Sequence, residues 1–322
     1  MTNRNDEIKQ EGEEKLKSIL IDPINQKKLP ENYTFKYFDN ILDLYLNDES
    51  NLTNIQSTFY NDVKFPNYDN IDDFGTLLDK AKRSIFAKKL DEEIPFRTKI
   101  LEAGCGTGQL SISLSRYMRE IYAIDISEGS LIEAKKFIKK NQIKSVNLIK
   151  MNIFNLFFKN EFFDVIISNG VLHHTHDPEL AFKKLCEKLK KNGYIIIGLY
   201  HKYGRLVQKF RQFLIRIFGD NFKFLDPRFK ENISKEKKHA WFLDQYKNPS
   251  EKLYTLSEIL NWFEKNKIEY ISSIPFDFSV NDHLFKKKII NKSELFFSEI
   301  LLAFNLRQIY EGGFFVTIGR KI

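Results

Sequence analysis

The sequence predicts a doubly wound α/β fold with a mostly parallel sheet of seven strands, helical insertions after strands 5 and 6, and a small N-terminal segment. Two observations support this fold class. Between residues 99 and 200, short runs of consecutive apolar residues alternate with amphipathic segments. Glycine or polar residues stand where each apolar run ends. Strands that are apolar along their whole length are typical of a parallel sheet covered on both faces, and right-handed crossovers make such a sheet doubly wound.

The strands and helices are predicted in alternation along the chain, and the alternation stops after residue 200. A basic, aromatic stretch follows, and then a helix over 255–266 in which Thr255 and Glu258 have the spacing of a capping box. Strands over 268–276 and 312–322 complete the seven. The earlier strands are predicted over residues 99–104, 120–125, 146–151, 162–168 and 193–200, and the earlier helices over 76–90, 108–118, 128–140 and 178–190.

Length and composition predict a globular chain, since it has 322 residues and 42% of them are hydrophobic. We divide it into an N-terminal extension (1–57), a ligand-binding core (58–200), a helical insertion that forms a lid or substrate region (201–254) and the C-terminal part of the sheet (255–322). In the extension, Asp22 and Asn25 stand where a zinc-ribbon pattern L-x-C-P-x-C has cysteines. This predicts a degenerate module that has lost its metal.

The net charge and the cysteine count limit the partners and the cellular compartment that are expected for the protein. The net charge of +8 has two explanations: the Lys-, Asn-, Ile- and Phe-rich composition expected from an AT-rich genome, or an anionic partner. Two cysteines exclude a disulfide framework and a cysteine-rich zinc site, and they indicate a reducing cytoplasm. Apolar runs stay shorter than the 18 or so residues of a membrane span, so none is expected.

Polar groups and glycines stand at the carboxyl ends of the predicted strands, where ligands bind in an open parallel sheet. Strand 1 runs into a turn with glycines at Gly104, Gly106 and Gly108, and strand 2 ends at Asp125, 21 positions after Gly104. An acid about 20 residues beyond a glycine turn is placed to accept hydrogen bonds from both hydroxyls of a ribose. The pattern therefore predicts a nucleoside ligand.

The glycine spacing distinguishes between cofactors. A dinucleotide-binding turn reads G-x-G-x-x-G/A, and its last residue is small so that helix and strand pack closely. Here that position is Gln109, and the third glycine comes one residue earlier. A G-x-x-x-x-G-K-[ST] motif is also missing, which excludes a P-loop. The turn is better suited to a nucleoside without a pyrophosphate.

Four stretches together resemble the class I S-adenosylmethionine-dependent methyltransferases: LEAGCGTGQLS, the acidic end of strand 2, FDVIISNGVLHHTHDP and LKKNGYIIIGLY. The resemblance covers residues 75–200 and extends through the closing strands to residue 322. Within the class, the chain looks like the small-molecule enzymes grouped with those of ubiquinone biosynthesis. The resemblance implies a Rossmann-like fold, S-adenosylmethionine as cofactor and in-line methyl transfer to a small molecule.

The resemblance also implies roles for individual residues. The glycine turn would pass beside the methionine and ribose parts of the cofactor, with Glu102 orienting the turn and the cofactor's amino group. Asp125 would bind the ribose hydroxyls, Ile126 would pack on adenine, and Asn152 stands where many members have an Asp that contacts the adenine amino group. Asn169 would lie near the methionine part. The implied cofactor-binding set is Tyr60, Glu102, Gly104, Cys105, Gly106, Gly108, Asp125, Ile126, Asn152, Ile153, Ser168 and Asn169.

Candidate groups for proton transfer are few. His201 and Tyr203 follow strand 5 on the side where the acceptor is expected, and we predict these two as the catalytic residues. The histidines after strand 4 are a common feature of the family and structural in most members. Strand 4 ends in SNGV and not in the N/D-P-P-Y/F common in enzymes that methylate adenine amino groups or glutamine, which argues against those reactions. We predict no metal site.

The insertion after strand 5 is expected to select the substrate. Its segment GRLVQKFRQFLIRIFG places Leu206, Phe210, Phe213, Leu214 and Ile217 on one face of a helix. Three interpretations remain open: a lid over the active site, a helix on a membrane surface, and a helix that faces RNA. We predict a cytoplasmic methyltransferase with a small-molecule acceptor that could be lipophilic, and RNA methylation is the alternative. Peripheral membrane contact and the oligomeric state stay open.

Overall fold

The computed structural model describes residues 13–48, 50–63, 66–277, 279, 281–289, 291–303 and 313–322. Within these ranges nine strands form one mixed sheet in the order β1-β2-β5-β4-β3-β6-β7-β9-β8. The strands are β1 (Lys36–Phe38), β2 (Ile41–Asp43), β3 (Lys99–Ala103), β4 (Glu120–Asp125), β5 (Val146–Lys150), β6 (Phe163–Asn169), β7 (Leu189–Tyr200), β8 (Ile268–Ile274) and β9 (Phe314–Lys321).

The helices in the same ranges lie between the strands and within the two insertions. Short 3₁₀ turns cover Leu172–His174, Asp220–Leu225 and Pro227–Lys230, and a π turn covers Leu243–Lys247. Residues 13–19 are helical, and the α-helices that follow are α1 (Asn51–Asp62), α2 (Phe74–Arg83), α3 (Ile85–Glu93), α4 (Gln109–Ser113), α5 (Glu128–Lys140), α6 (Pro178–Lys188), α7 (Leu206–Phe218), α8 (Lys235–Phe242), α9 (Leu256–Lys265) and α10 (Lys292–Ala303).

The mixed α/β sheet agrees with the predicted class, but the predicted count of seven strands is wrong. From β2 to β7 all neighbours pair in parallel, and β9 runs antiparallel between β7 and β8. The two additional strands, β1 and β2, come from the N-terminal extension. They form a hairpin through Asp39 and Asn40, which both have positive φ, as a two-residue turn between twisted strands requires. Leu42 and Asp43 then pair with β5.

Both faces of the sheet are covered, which explains why the central strands are apolar along their length. Consecutive residues of one strand enter different clusters: Leu101 and Ile166 belong to one buried cluster, and Ile100 and Ile167 belong to the other. Successive side chains of a strand point to opposite faces, so each central strand must supply apolar residues at every position.

Several helix boundaries differ from the predicted ones. The predicted helix over 76–90 is two helices, because Ser84 interrupts it and caps α3 by accepting a hydrogen bond from the Ala87 amide. The predicted helix over 108–118 is only α4, since Tyr117 and Met118 adopt positive φ before β4. The capping box at the start of α9 is confirmed.

The N-terminal extension contains a compact turn at the positions of the zinc-ribbon pattern. The Asp22 carboxylate accepts hydrogen bonds from the amide of Ile24 (2.8 Å) and from the side chain of Asn25 (3.0 Å). Hydrogen bonds thus hold the turn that cysteines and zinc would hold in the pattern. Among the residues with described positions, no group of three metal-ligating side chains is arranged to bind a metal ion. The proposed domain boundaries stay a prediction.

The helices within the described part of the chain are short or polar. None of its helices is both long and apolar enough to cross a lipid bilayer.

Candidate active site

A cavity of about 370 Å³ opens at the carboxyl ends of the parallel strands. Its volume lies in the range of small-molecule and cofactor sites. The ends of β3, β4, β5, β6 and β7 all reach it, through Gly104, Asp125, Asn152, Asn169 and Tyr200 respectively. The five strand ends that are polar or glycine-rich in the sequence therefore meet at one place.

The glycine turn and Asp125 hold each other in position. The Gly106 amide donates to one carboxylate oxygen of Asp125 (2.7 Å), and the Ser127 amide donates to the other (2.8 Å). Gly104 has a φ of +80°, and a Cβ there would lie 2.3 Å from a methyl group of Val171, so only glycine fits this approach. A carboxylate oxygen accepts more than one hydrogen bond, so Asp125 keeps acceptor capacity for a ligand on the cavity side.

Glu102 lies beneath the same turn and is buried. The Ser111 amide (2.9 Å) and the Ser111 hydroxyl both donate to its carboxylate. Burial raises the pKa of Glu102 to about 7, and the negative charge of Asp125 acts in the same direction, against the hydrogen bonds from Ser111. Glu102 therefore titrates near neutral pH and lines the cavity.

Gln109 has a structural role that its sequence position did not reveal. Its side-chain amide donates to the carbonyls of Pro66 (3.2 Å) and Asn67 (2.8 Å). The hydroxyl of Tyr68 donates to the Thr107 carbonyl (2.7 Å). Gln109 and Tyr68 thus fasten residues 66–68 across the glycine turn, and Pro66 and Gln109 line the cavity.

The residues after β5 form a less polar part of the wall. Asn152 is buried; its amide oxygen accepts from the Phe154 amide (3.0 Å) and its amide nitrogen donates to the Leu46 carbonyl (3.4 Å). Ile126 and Ile153 line the cavity beside it. The oxygen of Asn152 keeps a second lone pair, but its orientation is set by a local turn.

A group of hydrogen-bonded side chains connects the insertion to the cavity wall, which Tyr60, Tyr200 and Asp244 line. The Tyr60 hydroxyl donates to Asp244 (3.1 Å) and accepts from the Asn248 amide (2.9 Å). The Gln245 amide donates to the other carboxylate oxygen of Asp244 (2.7 Å) and to the Tyr200 hydroxyl (2.8 Å). Burial, reinforced by Asp244, raises the pKa of Tyr60 well above its ordinary value. Burial also raises the pKa of Tyr200 to about 12, so both phenols stay protonated.

The charged side chains on the cavity wall are acidic. Glu102, Asp125 and Asp244 line it, and among the residues that the structure describes no lysine or arginine does. Arg205 stacks on the ring of Tyr200 at 3.7 Å from the ring centre and is not part of the lining. The cavity is therefore acidic in a chain whose net charge is +8.

Asn169 presents a buried acceptor without a partner. Its side-chain oxygen has no hydrogen-bond partner among the described residues. Gly198 on the neighbouring strand makes room for it, because a Cβ at Gly198 would lie 2.1 Å from that oxygen and 2.5 Å from the Phe314 ring. Buried polar atoms are normally paired, so an N–H or ammonium group of a ligand would complete this site.

Four of the residues predicted for the site do not line the cavity: Gly108, Ser168, His201 and Tyr203. The Ser168 hydroxyl donates to the Ala103 carbonyl (3.1 Å). His201 is fully buried and lies 3.5 Å from the Glu299 carboxylate. The predicted catalytic pair is thus away from the cavity wall, where Tyr200 and Asp244 stand. The other predicted residues are among the lining residues: Tyr60, Glu102, Gly104, Cys105, Gly106, Asp125, Ile126, Asn152, Ile153 and Asn169.

The lid interpretation expects the helix of the insertion to pack its apolar face over the cavity. The structure shows a different arrangement. Phe210 and Phe213 on that face are exposed, whereas the buried positions of α7 are Gln208 and Ile215. No residue of α7 lines the cavity. The insertion reaches the cavity through Asp244 in the π turn, a residue that the sequence did not single out because no motif surrounds it.

Comparison with known proteins identifies the family. A family model described as a methyltransferase domain matches residues 97–267. The chain belongs to this methyltransferase family. It is 27% identical over 187 residues to a demethylmenaquinone methyltransferase of Bacillus cereus, a match that covers 57% of the chain and 75% of that enzyme. It is 25% identical over 214 residues to an uncharacterized protein of Synechococcus, covering 59% of the chain and about half (51%) of that protein.

A solved structure shows the same fold. The geranyl diphosphate C-methyltransferase of Streptomyces coelicolor, in complex with Mg²⁺, geranyl diphosphate and S-adenosyl-L-homocysteine, matches with a TM-score of 0.50 and 11% identity. The match covers 86% of this chain and all of the other. The predicted class I methyltransferase family, its enzyme class and S-adenosylmethionine as its cofactor are confirmed.

Proposed function

We propose that the protein methylates an uncharged or cationic small molecule, and that the region around Tyr60, Tyr200 and Asp244 receives it. The observation that carries this proposal is the acidic cavity wall. A phosphate or diphosphate acceptor needs cationic or N–H donors, and within the described part of the chain no lysine or arginine lines the cavity. The same charge pattern opposes an RNA acceptor, whose phosphates would meet Asp244.

The cofactor would occupy the part of the cavity formed by the ends of β3, β4 and β5. Asp125 would accept hydrogen bonds from the ribose hydroxyls, and Ile126 and Ile153 would contact the adenine. Glu102 and the unpartnered oxygen of Asn169 would accept from the amino group of the methionine part. When bound, S-adenosylmethionine supplies a methyl group activated by a sulfonium, so the chain's residues have to align the acceptor and exclude water.

Asp244 is the residue we propose as proton acceptor. Its two carboxylate oxygens accept from Tyr60 and Gln245, which orients them and leaves lone pairs for the acceptor. Asp244 would take up the proton that the acceptor's oxygen or nitrogen loses when it receives the methyl group and the carbon–sulfur bond of the cofactor breaks. A positioned base of this kind accelerates transfer by roughly 10²–10⁴-fold.

The relatives support a small, lipophilic acceptor. One of them is a demethylmenaquinone methyltransferase, and the wall near Tyr200 includes the apolar side chains of Phe314 and Val171. An acceptor with a hydroxyl on a ring or chain of low polarity would fit both the apolar surface and the carboxylate of Asp244.

The test is methyl transfer from labelled S-adenosylmethionine into separated metabolite, lipid and RNA fractions. We expect label in the lipid or metabolite fraction, and we expect the neutral or cationic components of that fraction to carry it. Transfer into RNA, or only into phosphorylated metabolites, would overturn the proposal. Competition by added lipid extract but not by added tRNA is the matching binding experiment.

A further inference from the structure

Helix α7 exposes its apolar face, unlike an ordinary surface helix. Such a helix buries its apolar face and exposes its polar one. In α7 the exposed fractions of Phe210, Phe213 and Ile217 are 60%, 56% and 56%, and those of the buried residues Gln208 and Ile215 are 3% and 4%. The helix therefore presents its apolar face to the surroundings.

Polar contacts on the inner side hold α7 in this orientation. The Gln212 amide donates to the Gln245 carbonyl (2.8 Å), and the Tyr246 hydroxyl donates to the Gln208 side chain (3.4 Å). Arg205, which precedes the helix, is buried and paired with Glu251. Turning the apolar face inward would break these bonds, so the fold itself keeps this face exposed.

The apolar surface continues beyond the end of α7. Phe218 stacks on Phe222, with ring centroids 5.1 Å apart, and Phe224 and Leu225 are exposed in the following 3₁₀ turn. We call this surface the α7 patch. It consists of Leu206, Val207, Phe210, Phe213, Ile217, Phe218, Phe224 and Leu225, all of them exposed.

Basic residues outnumber acidic ones around the α7 patch, where Asp220 is paired with Lys247 (3.1 Å) and Glu251 with Lys209 (2.9 Å). The helix contains Lys209, Arg211 and Arg216 and no acidic residue. At 100° per residue, Lys209 and Arg216 lie along one border of the apolar face and Arg211 lies along the other. Lys223 is exposed in the turn that follows. A helix with Phe, Leu and Ile on one face and Lys or Arg along its borders is the type that lies in a membrane interface.

We propose that the α7 patch binds the surface of a membrane that contains anionic lipids. The phenylalanines enter the boundary between headgroups and acyl chains, and the basic residues along the borders bind the negative headgroups. The inner side of α7 contacts residues 243–247, which bring Asp244 to the cavity. Helix α7 and residues 243–247 would therefore separate a membrane bound to the α7 patch from the proposed acceptor region.

Vesicle flotation of the full chain tests this proposal, with phosphatidylcholine vesicles that contain or lack phosphatidylglycerol. We expect binding that the anionic lipid strengthens. The double substitution Phe210→Ser and Phe213→Ser should lower the partition coefficient about tenfold or more, because it removes two of the inserting rings. Replacing Arg211 and Arg216 by glutamine should weaken binding to the anionic vesicles and leave phosphatidylcholine binding unchanged.

Phe96→Ser is the matched control. Phe96 is 59% exposed, as the two phenylalanines are, but it lies beside Tyr117 near the amino ends of β3 and β4, away from α7. Its substitution should leave vesicle binding unchanged. The pair Leu206→Ser and Ile217→Ser should act as the first pair does, and circular dichroism establishes that each variant is folded.

Two kinds of result would overturn the proposal. One is wild-type protein that fails to float with anionic vesicles, or a double variant that floats as well as wild type. The other is a dimer in sedimentation that the double variant dissociates while vesicles stay unbound, which would assign the patch to a second copy of the chain. Flotation needs no acceptor and no methyl transfer, so its outcome is independent of the proposed function.

Discussion

Replacing Glu102 by glutamine should change how the stability of the protein depends on pH. Burial raises the pKa of this carboxyl from 4.5 to about 7, because the folded protein disfavours its charge. The folded state therefore holds the proton more tightly than the unfolded chain does. The resulting stabilisation is complete below about pH 4.5 and is lost as the pH rises through about 7.

The magnitude follows from the two pKa values. At about 1.4 kcal/mol per pKa unit, a carboxyl that moves from 4.5 to about 7 contributes about 3 kcal/mol to the free energy of unfolding. Glutamine keeps an oxygen that can accept from Ser111 and carries no charge. The wild-type protein should thus lose about 3 kcal/mol, relative to Glu102→Gln, between about pH 4.5 and pH 8.

Urea unfolding without added cofactor, repeated across this pH range, measures the difference. Glu264→Gln is the control, because Glu264 is exposed on α9, and its curve should run parallel to that of the wild type. Parallel curves for the wild type and Glu102→Gln would refute the reasoning. If Glu102 also accepts from the cofactor's amino group, S-adenosylmethionine should bind more tightly above about pH 7 in the wild type, and the variant should lack that dependence.

Three further substitutions test the cavity. Asp125→Ala should weaken S-adenosylmethionine binding about 10²-fold or more in calorimetry, since it removes two hydrogen bonds to a charged group; equal affinity would exclude the ribose role. Asp244→Asn should lower kcat about 10²–10⁴-fold with cofactor affinity kept, whereas Asp220→Asn in the exposed turn should not, and an unchanged kcat would remove Asp244 as the base. Gly198→Ala places a Cβ 2.1 Å from a buried side-chain oxygen and should lower both the melting temperature and cofactor affinity, whereas Gly75→Ala in α2 should lower neither.

Local patterns were sufficient to predict the central strands. β3, β4, β5 and β6 lie within a residue of their predicted bounds, because a strand buried on both faces must be apolar throughout. The hairpin β1–β2 was not among the seven predicted strands, although the segment NILDLYLND, which contains β2, has a pattern compatible with a strand. Its strands have three residues each, too few to show a period, and β2 depends on pairing with β5.

The predicted catalytic pair begins one position after the residue that lines the cavity. Tyr200 lines the cavity and His201 does not, because neighbouring residues of an extended chain point to opposite sides. A sequence shows that two residues end a strand, but not which of them faces the ligand. Asp244 was missed because it lies far along the chain from every motif and reaches the cavity only through the fold of the insertion.

The sequence showed that α7 is amphipathic, but it did not show whether the apolar face of the helix points to the core or to the surroundings. The spacing of Phe210, Phe213 and Ile217 shows that these side chains share a face. Whether that face meets the core or the surroundings depends on the polar contacts of Gln208 and Gln212 with residues 245 and 246. Those partners are more than thirty positions away.

The sequence by itself determined the methyl-donor half of this protein. The glycine turn, Asp125 and the alternating strands are local features, and the topology of a parallel sheet brings its strand ends together without further information. Only the tertiary structure decided the region that we propose for the acceptor, including the acidic wall, the place of Asp244 and the outward face of α7. These depend on contacts between segments distant in the chain, which no local pattern of residues encodes.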